Sequence, residues 1–185
     1  MSPILARMEP PFEVRPFEPP DAAAVNRVAL AAFAEYEAVY DDWPATAAVV
    51  GNMADLASAG ELLVAAAGGA VVGAVVYVGP GRAKAAYFRA EWPVVRLLVV
   101  HPAHRGRGVG RALMAACVRR AERDGAPLLA LHTSPIMRVA LPMYLRMGFV
   151  LEREVPPVRG VPYAVYVKPL RGGTPPDGAA THSVA

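Results

Sequence analysis

Nineteen consecutive residues without a charge, Leu62–Pro80, limit most sharply what this chain can become. Their length approaches the ~20 apolar residues that span a bilayer. Gly69-x-x-x-Gly73 within them even has the spacing of a membrane-helix dimer contact. Two features point elsewhere. Gly68-Gly69 divides the stretch into the runs Glu61–Ala67 and Ala70–Val78, and paired glycines supply the positive φ angles of a tight hairpin turn. The second run is rich in Val and carries Tyr77, residue types that favour strands. The stretch is therefore expected to be a β-hairpin, and no membrane is expected as a partner.

The 185 residues suit one folded unit with short ends. A hydrophobic fraction of 55% is enough for a sizeable core and excludes a wholly disordered chain. The 16 glycines and 19 prolines stay below the roughly 25–30% that marks low complexity. A lone cysteine, Cys117, excludes an internal disulfide framework and a multi-cysteine zinc site, and fits a reducing cytoplasm. Met1–Pro11 lacks the apolar core and cleavage site of a leader peptide. This segment (1–11) and Arg171–Ala185 are expected as loose tails around a folded part at 12–170.

Along that part, Phe12–Phe17 alternates like a strand. Asp21 stands where it could cap a helix with Val25, Val28, Ala29, Ala32, Phe33 and Tyr36 on one face. A second helix is expected over Thr46–Ala59, with Val49, Val50, Met53, Leu56 and Ala57 inward and Gly60 as its stop. After the hairpin comes a loop containing Arg and Lys, then the apolar run Val94–Val100, a central strand. A third helix begins at Val109 with Ala112, Leu113, Ala116, Cys117 and Ala121 inward. Leu128–His132 reads as a buried strand. Ser134-Pro135 reads as the opening of a fourth helix that runs through Met147 to Gly148. Phe149–Val155 and Tyr163–Lys168 close the chain as strands. The predicted order is βααβββαβαββ, an α/β or α+β fold with one mixed sheet flanked by helices.

The most informative chemistry lies between the central strand and the third helix, in Arg105-Gly106-Arg107-Gly108-Val109-Gly110-Arg111. Glycines at positive φ expose consecutive N–H groups, and a helix start adds unpaired donors and a partial positive charge. Together they make an anion site, most naturally for a pyrophosphate. Arg105, Arg107 and Arg111 add bidentate donors. From His101 to Arg123 there are six arginines against Glu122, +5 in a chain whose whole net charge is +3. A Walker pattern fails because no Gly-Lys-Ser/Thr follows. The dinucleotide fingerprint fails because Arg111 replaces the third glycine. Arg-x-x-Gly-x-Gly remains, as Arg105, Gly108 and Gly110.

The stretch Leu97–Leu113 resembles the acetyl-CoA signature of the GNAT N-acetyltransferase superfamily, and Ala140-x-x-Met-Tyr144-Leu-Arg-Met-Gly148-Phe149 resembles that family's second motif. The resemblance, over about Phe12–Leu170, implies an N-acetyltransferase that moves an acetyl group from acetyl-CoA to a primary amine by direct attack. It implies that the strand backbone at Leu98, Val99 and Val100 binds the pantetheine arm and the thioester carbonyl beside a strand bulge. It places the pyrophosphate on Arg105, Gly106, Arg107, Gly108, Val109, Gly110 and Arg111. It sets Tyr144 beside the thioester sulfur as the acid for the departing thiolate. The alternative for Tyr144 is an ordinary core tyrosine on an apolar helix face. No metal is implied. Two departures stand out: Met137 replaces a common Asn, and Pro142 inside the fourth helix should remove a bond to the Arg138 carbonyl and kink it.

For the acceptor amine, Glu91, His101, His104 and His132 are candidate bases, none preferred. Glu35, Glu37, Asp41 and Asp42 interleave with Tyr36, Tyr40 and Trp43, a mixture that could attract a cationic amine or merely form a solvated helix end. Small-molecule and peptide amines both remain open, as does a homodimer through edge strands. A non-catalytic acyl-CoA-binding or regulatory protein is the competing reading. Nucleic acid is not expected, since no aromatic platform accompanies the arginines.

Overall fold

The computed structural model describes residues 12–170. The two expected tails lie outside the described residues. The elements are β1 (Glu13–Pro16), α1 (Ala22–Phe33), α2 (Trp43–Val50), β2 (Glu61–Ala67), β3 (Ala70–Val78), β4 (Val94–Val100), α3 (Val109–Arg123), β5 (Leu128–Thr133), α4 (Ala140–Arg146), β6 (Val150–Val158) and β7 (Val161–Pro169). This is the expected order, and the seven strands form one sheet ordered β1-β2-β3-β4-β5-β7-β6. All neighbours pair antiparallel except β4 and β5.

The uncharged stretch is the β2–β3 hairpin, turning at Gly68 and Gly69 with φ of 56° and 81°. Its lack of charge has a plain cause: helices cover both faces of the sheet there. Leu62, Val64 and Val76 pack with Val25, Val28 and Ala29 of α1. Leu63, Ala65 and Val75 pack with Leu113, Met114 and Cys117 of α3. A polar side chain on either face would be desolvated without a partner. No helix among the described residues is long and apolar enough to cross a membrane. Gly73 permits the close approach of α3, because a Cβ there would lie 2.9 Å from Val109 Cγ1.

Several local expectations are corrected. Asp21 does not cap α1; its carboxylate accepts from the Arg15 guanidinium at 2.7 and 2.9 Å and from the Glu18 N–H at 2.9 Å. The single helix expected over Thr46–Ala59 is two pieces. α2 is opened by Asp42, whose side chain accepts the Ala45 N–H, and a 3₁₀ stretch follows at Met53–Ser58. Gly51 and Asn52 interrupt the run, both poor helix formers. Val49, expected inward, is 48% exposed. In α3, Met114 is fully buried and Ala112 only partly so, a shift of the inward stripe.

The fourth helix is shorter than expected. Turns occupy Ser134–Val139, with the Met137 N–H donating to the Ser134 carbonyl, and α4 starts only at Ala140. Pro142 is then its third residue, where an N–H has no intrahelical partner to lose. The expected kink therefore has no cause. β6 and β7 are longer than expected and turn at Arg159 and Gly160, with φ of 46° and 79°. Pro156 and Pro157 are tolerated in β6 because it is the sheet's edge. The loop before β4 supplies a third apolar cluster, in which Phe88 and Trp92 cover Leu128, Ala130, Val165 and Val167.

Candidate functional site

Two neighbouring strands part in the middle of the sheet. β4 and β5 pair only at Val94–Ala130 and Val95–Leu131, although β5 stays paired to β7 as far as Thr133. The cause lies in β4, which carries one extra residue between Arg96 and Val99 relative to β3. Leu97 takes a φ of 47° there, a costly conformation for a branched side chain. The bulge bends β4 away from β5 and leaves both strand edges bare. Bare edges offer backbone donors and acceptors to an extended, amide-bearing ligand. The opening continues as one cleft of about 870 Å³, whose walls include Leu98, Val99 and Val100.

One end of this cleft is the glycine-rich turn. Gly106 and Gly108 have φ of 73° and 82°, and Gly108 is the residue before α3. Among the described residues, the N–H groups from Gly106 to Arg111 donate to no loop or cap carbonyl, and Gly108 makes no side-chain cap. These donors and the positive end of a four-turn helix form an anion cradle. Gly110 lies beside Val100 and Met143, where a Cβ would make ordinary contact at 3.5 Å with Val100 Cγ2 and Met143 Sδ. Arg105, Gly106, Gly108, Val109, Gly110 and Arg111 border the cleft; Arg107 is exposed and does not. The Arg105 side chain turns back to α1, donating to the Ala32 carbonyl at 3.1 Å and pairing with Glu35 at 2.7 Å. It braces the turn against the end of that helix.

Tyr144 lines the cleft. Its ring is 5.8 Å from that of Phe149 and only 6% of the residue is exposed. Burial holds its phenol well above the ordinary range, so it stays protonated at neutral pH. Its oxygen has no hydrogen-bond partner among the described residues, yet it is not a sealed, orphaned atom; it opens on the cleft.

The other end is aromatic. Tyr40 and Tyr163 share a hydroxyl–hydroxyl hydrogen bond of 2.5 Å, and Tyr36 lines the same wall. Burial, with Glu35 nearby, pushes Tyr36 up to about 12. His132, at the end of β5, shares a hydrogen bond between Nδ1 and the Tyr87 hydroxyl and lies in T-shaped contact with Tyr163. Burial, and then the Arg96 charge, lower the His132 pKa to about 4. Its imidazole is neutral at pH 7. The sign for stability follows. Between the unfolded value of 6.5 and the folded value of about 4, the unfolded chain binds more protons at this site. Stability from His132 is intact above pH ~6.5 and is lost as pH falls toward ~4, by about 2–3 kcal/mol at pH ~4.5. Urea denaturation at the two pH values should show this loss, and His132→Gln should remove most of it.

Of the four candidate bases, His132 and His104 border the cleft, His104 beside the anion turn; Glu91 and His101 do not. The acidic cluster is dispersed. Glu35 is taken by Arg105, Asp42 by the start of α2, and none of Glu35, Glu37, Asp41 and Asp42 lines the cleft. Only the aromatic members Tyr36 and Tyr40 do. Tyr87, Arg96, Arg159 and Tyr163 went unmarked in the sequence. Each becomes a site residue through strands and loops that meet only in three dimensions.

A model of the acetyltransferase (GNAT) family matches residues 25–149. Among curated proteins no sequence matched. Among solved structures, the chain is similar to the GCN5-related N-acetyltransferase from Rhodopseudomonas palustris, at 24% identity and a TM-score of 0.68 over 85% of this chain and 95% of that one. It is similar to yncA from Salmonella typhimurium, solved with its cofactor acetyl-CoA, at 21% identity and a TM-score of 0.65 over 90% and 98%. A GNAT family acetyltransferase from Brucella melitensis in complex with acetyl-CoA gives 21% identity and a TM-score of 0.60 over 89% and 91%. At such identities the structural likeness speaks to the fold.

Proposed function

Because the chain belongs to the GNAT acetyltransferase family, we propose that it transfers the acetyl group of acetyl-CoA to a primary amine, by direct attack in a ternary complex. The observation that carries this reading is the continuity of one cleft from the anion cradle, along the bare edge of β4, to the buried phenol of Tyr144. Its chemistry fits the co-substrate: N–H donors for a pyrophosphate, strand-edge groups for an amide-bearing arm, and an apolar wall for its methylenes.

In this reading the N–H groups from Gly106 to Arg111, with the Arg111 guanidinium, hold the pyrophosphate, while the Arg105 N–H stays on the Pro102 carbonyl and its side chain braces the turn. The backbone of Leu98, Val99 and Val100 orients the arm and the thioester carbonyl. The co-substrate supplies an activated acyl group, so the chain's own task is to position it, exclude water and move protons. The amine must be neutral to attack. We assign its proton to His132 Nε2, directly or through water, in the tautomer whose Nδ1–H donates to the Tyr87 oxygen and leaves the Nε2 lone pair free. A C–N bond forms, the C–S bond breaks, and Tyr144 Oη donates its proton to the departing sulfur.

The test is calorimetric titration with acetyl-CoA, followed by an amine screen for acceptor-dependent thiol release. Saturable one-to-one binding with release is expected. Tight binding without release for any amine would favour a non-catalytic acyl-CoA-binding or regulatory protein, and no binding at millimolar acetyl-CoA would reject the reading.

A further inference from the structure

The charges along the cleft have one sign. Arg96, Arg105, Arg111, Arg146 and Arg159 border it, and no Asp or Glu does. Three of these lie on the elements of the cofactor half: Arg105 braces the turn, Arg111 stands in the first turn of α3, and Arg146 ends α4, whose Met143 neighbours Gly110. Arg96 and Arg159 are different. Arg96 lies on β4 before the bulge, where its charge acts on His132 and Tyr87. Arg159 lies in the β6–β7 turn, where its charge acts on Tyr40. Neither forms an ion pair among the described residues. Nor does either side chain donate a hydrogen bond to the described residues. Both therefore belong to the aromatic end, where the acceptor would sit.

Arg159 also occupies an expensive position. With φ of 46° at Arg159 and 79° at Gly160, the turn needs left-handed backbone at both places, a demand that Asn-Gly meets more cheaply. The turn is held firmly. The Asp41 N–H donates to the Arg159 carbonyl at 3.0 Å, and Tyr40 bonds Tyr163 across the same junction. The segment between α1 and α2 is thereby tied to the β6–β7 turn beside the acceptor end, so a compact acceptor fits better than a folded protein surface. An unpaired guanidinium on a fixed, strained turn, bordering the same cleft as a second unpaired one, is built to receive an oxyanion in bidentate fashion.

We infer that the acceptor is a small amine carrying a carboxylate, such as an α-amino acid, whose anionic group is held by Arg96 and Arg159 while its amine points toward the bulge of β4. The inference rests on the acetyltransferase reading and narrows it. It also sets aside the alternative of an acidic acceptor wall, because Glu35 and Asp42 are spent on structure and none of the four acids borders the cleft.

The experiment compares free α-, β- and γ-amino acids with their carboxamides and decarboxylated amines, read as acetyl-CoA-dependent thiol release. Acetyl-CoA titration of every protein variant accompanies it. The best amino acid should exceed its carboxamide by about 10- to 100-fold in kcat/KM, the worth of a charge-assisted hydrogen-bonded pair. Arg96→Gln and Arg159→Gln should each remove most of that ratio, with acetyl-CoA affinity changed by less than about threefold; the acid-to-carboxamide ratio is the readout because the Arg96 charge also acts on His132 and so moves both rates together. Arg159→Lys, which keeps the charge but not the fork, should retain part of it. Equal rates on acids and carboxamides, or a preference that survives both Gln variants, overturns the anionic-acceptor proposal and leaves the acetyltransferase standing. Bound acetyl-CoA with no turnover of any carboxylate-bearing amine overturns it too. Failure to bind acetyl-CoA at all overturns the acetyltransferase reading itself.

Discussion

Replacing Tyr144 by Phe is expected to lower kcat by about 100-fold or more while leaving acetyl-CoA affinity within about threefold, the pattern of a lost proton donor. The substitution keeps the ring, and with it the packing on Phe149 and the apolar face of α4. What it removes is an oxygen that has no partner among the described residues and opens on the cleft. Burial raises the phenol pKa, which would make it a poor acid in water. The departing thiolate forms in the same dry surroundings and is penalised in the same direction, so the proton still has a reason to move. Stopped-flow or steady-state thiol release with saturating acceptor gives kcat, and calorimetry gives the affinity. A weakened acetyl-CoA affinity at unchanged kcat would show that Tyr144 is a binding residue and no acid.

Changing Gly108 to Asp is expected to weaken acetyl-CoA binding by more than 100-fold. Gly108 has a φ of 82° and nothing within 4 Å of a Cβ placed there, so the substitution meets no steric wall. Its cost has two separable parts. Any L-residue pays about 1–2 kcal/mol for the left-handed backbone, and Asp also places a carboxylate among the free N–H donors proposed to hold the pyrophosphate. A repulsion near 4 kcal/mol is the scale for two unit charges about 4 Å apart near a protein surface. Gly108→Asn tolerates the same backbone without the charge, and its loss should stay within about tenfold. Equal losses for Asp and Asn in calorimetric titration would mean that backbone geometry alone governs the turn. Undiminished binding in both would remove the pyrophosphate from this site.

The glycine turn with its free donors was legible because everything it needs is contiguous. Gly106, Gly108 and Gly110 punctuate the passage from an apolar strand to an amphipathic helix, and the donors belong to the backbone of the same seven residues. The hairpin was legible for the same reason, Gly68-Gly69 being a local turn signal with strand-forming runs on both sides. Asp21 and Ser134 were misread because capping residues satisfy whichever donor lies nearest in space. Arg15 and the Glu18 N–H claimed the first, and the 134–139 turns used the second. Pro142 was misjudged because its effect depends on where the helix starts, a boundary set by packing on the sheet.

The aromatic end was not legible. Tyr40 and Tyr163 stand 123 residues apart and meet through their hydroxyls, and Tyr87 reaches His132 across 45 residues. No spacing rule joins them. The amino-acid order by itself determined the element sequence, the hairpin and the charged glycine turn, since periodicity, turn chemistry and helix-start donors act within a few residues. Only the tertiary structure decided that β4 parts from β5, that Glu35 and Asp42 are consumed by structure, and that Arg96 and Arg159 stand over the same end of the cleft. Those outcomes depend on register, on one extra residue in β4 and on which side chains reach each other through space.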